Sequence, residues 1–343
     1  MVERQPSKLN VAGSNPVSRS IRTQKIINKT KLNKDFFKKV KILDGGMGQE
    51  LLSRGLKQVG TLWSASAILN EKYHKLVLET HLDYIDAGCD VIVTNTFSTR
   101  KQKLIENNLG HKFEELNTKA AELSLIAKEK NPHILVAGGL PPQNMVYVED
   151  ERSDEEIMEN FYDQAKIISP FVDFFILEVL SSSREVKLSV EAIKSLKKPY
   201  LIGLHVSEGK KLPSGEKIST IINDLRINKS LGVILSCVSP ENYSLNSQKL
   251  KDLDCPYGFK LNGFDFTNPT SGYTNTYDKG NVNNPNEILG KRKDLDPQKF
   301  SEFTKKFNQL GATILGGCCE TSPAHIKEIA KFRDQNLNLN KPM

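Results

Sequence analysis

The sequence contains no apolar run near the roughly 18 residues that a helix needs to span a bilayer. Its mean hydropathy of −0.42 reads as that of a soluble protein rather than a membrane protein. Histidine is scarce: there are six in 343 residues, and none shows the paired spacing of a His-ligated zinc hydrolase. The five cysteines are an odd number with no secretory signal peptide ahead of them. A disulfide framework is therefore not expected, and reduced thiols in the cytoplasm are the simpler reading. Beyond its first 31 residues the chain also lacks an excess of charge of either sign. The formal net charge is +7, but residues 1–31 carry Arg4, Lys8, Arg19, Arg22, Lys25, Lys29 and Lys31 against Glu3 alone. The body therefore has no positive field of the kind that recruits nucleic acid.

That basic stretch is rich in Ser and Asn and has no apolar period, which predicts disorder. It reads as a dispensable tail or a start codon assigned too early, because Val2–Arg19 resembles an accidental translation of a transfer-RNA gene. An organellar transit peptide and a nucleic-acid-binding arm are the other readings.

What the chain does have is length and apolar residues. At 343 residues with 38% hydrophobic content, it is long for one ordinary domain and normal for an α/β barrel. Eight short apolar runs follow one another: Val40–Leu43, Val91–Thr94, Ile134–Ala137, Asp173–Val179, Tyr200–His205, Gly232–Cys237, Tyr257–Leu261 and Thr313–Leu315. They are continuous rather than alternating, which suits parallel strands buried on both faces. Helical period fills the spaces between them, at Glu71–Ala87, Lys112–Lys130, Ser153–Ile168, Ser183–Leu196, Lys217–Lys229, Glu241–Leu253, Pro297–Leu310 and Pro323–Phe332. The expected fold is a single-domain (β/α)8 TIM barrel over residues 36–338, behind a disordered tail at 1–35. An open doubly wound sheet is the alternative. The Asn262–Asp296 connection is expected to form an extended loop over the mouth.

Barrel enzymes carry their chemistry at the C-terminal ends of the strands. Those positions here hold Asp44, Thr94-Asn95, Gly138-Gly139, Glu178, His205, Cys237, Asn262 and Cys318-Cys319. Three thiolates from two strand ends, Cys237, Cys318 and Cys319, can hold one zinc ion and leave its fourth position open. Gly316-Gly317 would let the vicinal pair leave β geometry and face one metal. Buried structural thiols are the plain alternative, and Cys89 and Cys255 read that way. Asp44 can accept hydrogen bonds from a substrate ammonium, and the Gly45-Gly46-Met47 backbone can cradle a carboxylate. An ordinary tight turn with a capping Asp would explain the same residues. Glu178 ends a strongly apolar run, which calls for a partner. His205 reads equally well as a core histidine.

Several stretches of this chain resemble the homocysteine S-methyltransferase family: Ile42–Gly48, Leu62–Ala65, His81–Gly88, Val93–Phe97 and Gly316–Ile326. The resemblance covers roughly residues 38–335. It implies a (β/α)8 barrel with zinc on Cys237, Cys318 and Cys319. Homocysteine contacts would fall on Asp44, Gly45, Gly46, Met47 and Glu178, with Asn95 beside them. The implied activity is methylation of homocysteine to methionine, in methionine biosynthesis. Departures from the family pattern are Ser236 before the first cysteine, the Gly138–Pro142 stretch, Val179 after the acid, and the Asn262–Asp296 loop. They leave the thiol set intact and bear on the methyl donor. Trp63 and Phe97 are candidates to face a donor cation, or to pack in the core. The shortness of the chain after Cys319, and the absence of separate folate and cobalamin modules, favour S-methylmethionine or S-adenosylmethionine as donor. Betaine or a related osmolyte is the alternative donor, and a methyl-transfer subunit that needs a partner is the alternative role. The partners expected are small molecules, without nucleic acid or membrane; oligomeric state leaves no signal in the sequence.

Overall fold

Eight apolar runs become eight parallel strands: β1 (Lys41–Ile42), β2 (Val91–Val93), β3 (Leu135–Leu140), β4 (Phe174–Leu180), β5 (Tyr200–Leu204), β6 (Gly232–Val238), β7 (Tyr257–Leu261) and β8 (Ile314–Gly317). A computed structural model describes residues 32–206, 209–227, 229–265 and 289–339. The described residues from Asn33 onward belong to one compact unit. The expected tail at 1–31 and most of the expected mouth loop lie outside the described residues.

The strands pair in the order β1-β8-β7-β6-β5-β4-β3-β2. A parallel bridge from Leu43 to Val91 joins the two ends. Hydrogen bonds from Asp90 N to Ile42 O (2.7 Å) and from Asp44 N to Val91 O (3.0 Å) close the ring. The (β/α)8 barrel is therefore the observed fold. Its parallel strands need helical crossovers, and these run outside, at His74–Asp86, Phe113–Lys130, Asp154–Ile168, Ser183–Ile193, Ile218–Ile227, Pro240–Leu250, Pro297–Gln309 and Pro323–Leu339. Ser153 caps its helix as its sequence predicts, its hydroxyl accepting from Glu156 N at 3.2 Å. Among the described residues, no helix is long and apolar enough to cross a membrane.

Side-chain alternation along a strand decides what reaches the barrel interior. In β7, Phe259 faces outward, its ring 4.9 Å from that of Tyr243 and 5.7 Å from that of Phe307 on two surrounding helices. The next residue, Lys260, therefore points inward. At the opposite end of the barrel from the site, Phe37 of the short turn Lys34–Lys38 lies 5.8 Å from Phe174, at the start of β4. Its carbonyl accepts from Thr313 Oγ1, just ahead of β8. That turn straddles the boundary expected at residue 35.

Some expectations need correction. Gly138 and Gly139 do not end β3; they pair with Phe175 and Ile176 inside it, because glycine breaks a strand only when its hydrogen bonds have no partner. Glu178 and Cys237 likewise sit within β4 and β6 rather than at their ends. Each lies at or next to a register shift, between Leu177 and Leu180 and between Ser236 and Val238. The last helix continues past Phe332 because its polar residues include no Gly or Pro to stop it. The short helices Met47–Ser53, Ser66–Leu69 and Lys101–Glu106 had no signal, being too brief to show a period.

Glu185 gives a test of this packing. Burial pushes its carboxyl up to about 8 from an ordinary 4.5, while Oε2 accepts from Ser181 N at 2.7 Å and Oε1 has no partner. The folded protein thus holds a proton that the unfolded chain releases above its own lower value. The stability this group contributes is present below about pH 4.5 and is lost as pH rises to about 8. Glu185→Gln should raise Tm relative to wild type at pH 8.5, with the gain shrinking towards pH 5. A gain independent of pH in calorimetric scans would refute this assignment.

Candidate active site

Two glycine-bearing loops meet at the C-terminal mouth of the barrel. A Cβ on Gly46 would lie 2.6 Å from Cys318 O, and one on Gly317 would lie 2.2 Å from Thr321 Oγ1. Only residues without a side chain permit that approach. It is held by Gly46 N–H donating to Thr321 O at 3.1 Å and by Tyr84 Oη donating to the same carbonyl at 3.1 Å.

The end of β7 then ties both thiol-bearing strands together. Leu261 O accepts from Cys318 N (2.7 Å) and Gly263 N donates to Cys319 O (3.0 Å). Asn262 Nδ2 donates to Cys237 O at 2.7 Å. As a result the Sγ atoms of Cys237, Cys318 and Cys319 all lie within 4.8 Å of one another, with Cys237 and Cys319 3.7 Å apart. Sulfurs on a tetrahedral ion with bonds of about 2.3 Å stand about 3.8 Å apart, so this set fits one thiophilic metal ion. Cys318 lies beyond β8, and Glu320, just after the pair, takes φ 61°. The vicinal cysteines thus leave β geometry as the glycines before them suggested. Cys89 and Cys255 lie outside the cluster.

The three thiols titrate unequally. Cys237 is held well below the usual thiol range by hydrogen bonds from Cys318 and Cys319, with further ones from Tyr147 and Asn262. Tyr147 Oη lies 3.2 Å from its sulfur. Cys318 and Cys319 are pushed up by those same contacts to Cys237 together with burial. A metal ion entering the cluster would displace the protons that its thiols carry.

Beside the thiols lies a buried charge cluster. Lys260 Nζ is 3.2 Å from Asp44 Oδ1 and 3.5 Å from Glu178 Oε1. Asp44 Oδ2 accepts from Val93 N at 2.7 Å, so this residue ties β1 to β2 and does not cap the helix that follows; the cap position there is Gly46. Burial raises Asp44 above its usual range and Glu178 to about 7, with Lys260 opposing both. Burial alone would lower Lys260, but the two carboxylates and Cys318 push it well above the ordinary lysine value.

A cavity of about 80 Å³ opens onto all of this. Cys237, Cys318, Cys319, Asp44, Gly45, Gly46, Met47, Glu178, Asn95, Trp63 and Phe97, each singled out from the sequence, are all among its lining. Asn95 is turned away from full availability, its amide donating to Ser64 O at 3.2 Å. Of the Gly45–Met47 backbone, Gly46 N–H is already spent on Thr321. Trp63 and Phe97 stand edge to face at 6.2 Å, but the Arg100 guanidinium covers Phe97 at 5.6 Å. His205 is fully buried, its Nδ1 against Ser236 O at 3.1 Å. Burial lowers it to about 4, so it is a neutral core residue packed 4.3 Å from the Tyr147 ring.

Sequence reasoning missed Lys260 and Tyr147. A lysine inside the apolar run Tyr257–Leu261 was a signal of the same kind that pointed to Glu178. Tyr147 sits in a loop and carried none. Backbone strain also collects here: Trp63, Tyr147, Val179 and Cys237, four non-glycine residues of the cavity wall, have φ of 47°, 68°, 60° and 53°. Such conformations cost about 1–3 kcal/mol each and persist where surrounding structure enforces them.

Fold and site together define a barrel whose mouth carries three thiols placed to hold one metal ion. A model of the family described as homocysteine S-methyltransferase matches residues 41–333. Homocysteine S-methyltransferase 1 of Saccharomyces cerevisiae is 29% identical over 335 residues, covering 87% of this chain and 95% of the relative. The Arabidopsis thaliana protein of the same name is 24% identical, covering 88% and 97%. Among solved structures, the metallated form of the Escherichia coli homocysteine methyltransferase MmuM superimposes with a TM-score of 0.68 at 20% identity, covering 85% and 96%. The chain belongs to the homocysteine S-methyltransferase family and is a methyltransferase acting on a thiol.

Metal content tests the centre. The wild-type chain should bind one thiophilic metal ion, with proton release on binding. Cys237→Ala, Cys318→Ala and Cys319→Ala should each lose it, whereas Cys89→Ala and Cys255→Ala keep it. Undiminished metal in any of the first three by plasma emission would remove that residue from the centre.

Proposed function

We propose that this enzyme transfers a methyl group to the sulfur of L-homocysteine, giving methionine, with zinc held by Cys237, Cys318 and Cys319 and a sulfonium, S-methylmethionine or S-adenosylmethionine, as donor. The observation that carries the reading is the convergence of three thiols beside paired acids in one cavity. An alkyl thiol is mostly protonated at pH 7, with a pKa near ~8.5. Zinc in an all-thiolate set would supply the Lewis acidity that deprotonates the acceptor thiol while leaving its sulfur electron-rich.

The chain's own residues do the rest. The amino-acid end of homocysteine lies against the Asp44–Lys260–Glu178 cluster, with its carboxylate towards the backbone N–H groups of Gly45 and Met47. Asn95 and the cavity wall fix its side chain. Tyr147 and Asn262 hold Cys237 and keep the thiol set rigid. The acceptor sulfur attacks the donor methyl carbon in line; the donor C–S bond breaks, and its electron pair returns to the donor sulfur as a neutral thioether. The protein contributes alignment of the two sulfurs and exclusion of water. Trp63 offers the donor cation a π face; Phe97, with Arg100 on it, offers less. Both reactants are small molecules, and the free thiols suit a reducing cytoplasm.

Methionine formation by the zinc-loaded chain tests this directly. Homocysteine is supplied with S-methylmethionine, S-adenosylmethionine or betaine in parallel, beside a Cys318→Ala control. Turnover is expected with a sulfonium and should fall by at least about a thousandfold in the control. Turnover with betaine alone would reject the donor assignment, and equal rates in the control would reject the metal's role.

A further inference from the structure

Lys260 has no role of its own in that reaction, yet it sits at the centre of the substrate cluster. It is inward-facing by the alternation of β7, 5% exposed, and lines the cavity that holds Cys318 and Cys319. Its ammonium lies between Asp44 Oδ1 and Glu178 Oε1, at 3.2 and 3.5 Å. The second oxygen of Asp44 is taken by Val93 N. The two carboxylates that a substrate ammonium would seek therefore already face an ammonium of the chain itself. A second cation brought to the same pair would meet Lys260 at close range in a medium of low dielectric, where like charges repel strongly.

We propose that Lys260 sets acceptor selectivity. By pairing with one oxygen of each acid, it lowers the site's demand for an α-ammonium. The acceptor class is then thiol carboxylates in general, recognised by thiol, chain length and carboxylate, with homocysteine one member of it. 4-Mercaptobutanoate, which is homocysteine without its amino group, is a second substrate. Its sulfur takes the methyl group as homocysteine does: the thiol proton leaves to solvent, the new S–C bond forms, and the donor sulfonium becomes a thioether. The inference rests on the reading that the amino-acid end of the acceptor lies against this cluster.

The test compares the two thiols by kcat/KM in wild type, Lys260→Met and Lys260→Met/Glu178→Gln. Calorimetry alongside measures binding of the two methylated products, L-methionine and 4-(methylthio)butanoate, to the same proteins. In wild type the preference for the amino acid should stay within about tenfold by both measures. In Lys260→Met the bared acids should accept the substrate ammonium, and the preference should grow by at least about tenfold. If two uncompensated buried acids prevent that variant from folding, the double variant, which keeps the cluster's net charge, should shift the preference the same way. A wild-type preference for homocysteine above about a hundredfold, or a ratio that neither variant moves, would show Lys260 to be a structural counter-ion and overturn the proposal. If neither thiol is methylated and neither product binds, the functional reading itself fails, and the inference with it.

Discussion

The hydrogen bonds made by Leu261, Asn262 and Gly263 are the constraint on which the site depends. This short segment leaves β7 between the two strands that carry the thiols and binds the backbone of all three cysteines. The three sulfurs thereby converge within 4.8 Å of one another. The close approach of Gly46 to the Cys318 carbonyl adds the second half of the frame, bringing Asp44 and the first strand against the same loop. The left-handed residues Val179 and Cys237 sit where β4 and β6 shift register. A bulge re-aims side chains, and here the side chains at these irregularities are those of the acid and the first thiol. The barrel bears the strain, and the gain is a preorganised site.

Charge is the second theme. Asp44, Glu178 and Lys260 are buried, where an unpaired charge is costly and a matched set is tolerated. The lysine holds its proton firmly and Glu178 holds its own weakly, near 7. The charge of the cluster therefore turns on the Glu178 proton. A site of this kind meets a zwitterionic substrate differently from a bare acid pair, and its selectivity follows from which charges the protein has already supplied.

Most of the barrel could be read from the sequence because its strands are continuous apolar runs of the right length. Tyr257–Leu261 matched to the residue. Boundaries slipped where local chemistry is ambiguous: Gly138-Gly139 stop a strand in isolation and continue one between paired neighbours. The eleven residues expected at the site line one cavity because barrel topology gathers strand ends, and the residues that carry chemistry there differ sharply from the runs before them. Lys260 was passed over because it lies within a run rather than after it. Tyr147 was invisible because its role depends on a loop conformation, with φ of 68°, that no local pattern encodes. The bulges beneath Glu178 and Cys237 belong to tertiary packing and left no trace in composition or period.

The central claim, that Cys237, Cys318 and Cys319 would hold one zinc ion and that it would activate the acceptor thiol, is tested most directly by X-ray absorption at the zinc edge. The account predicts three sulfurs at about 2.3 Å and one lighter atom in the resting enzyme, changing to four sulfurs on addition of homocysteine. A first shell that does not change with homocysteine, or one dominated by nitrogen and oxygen, would contradict it.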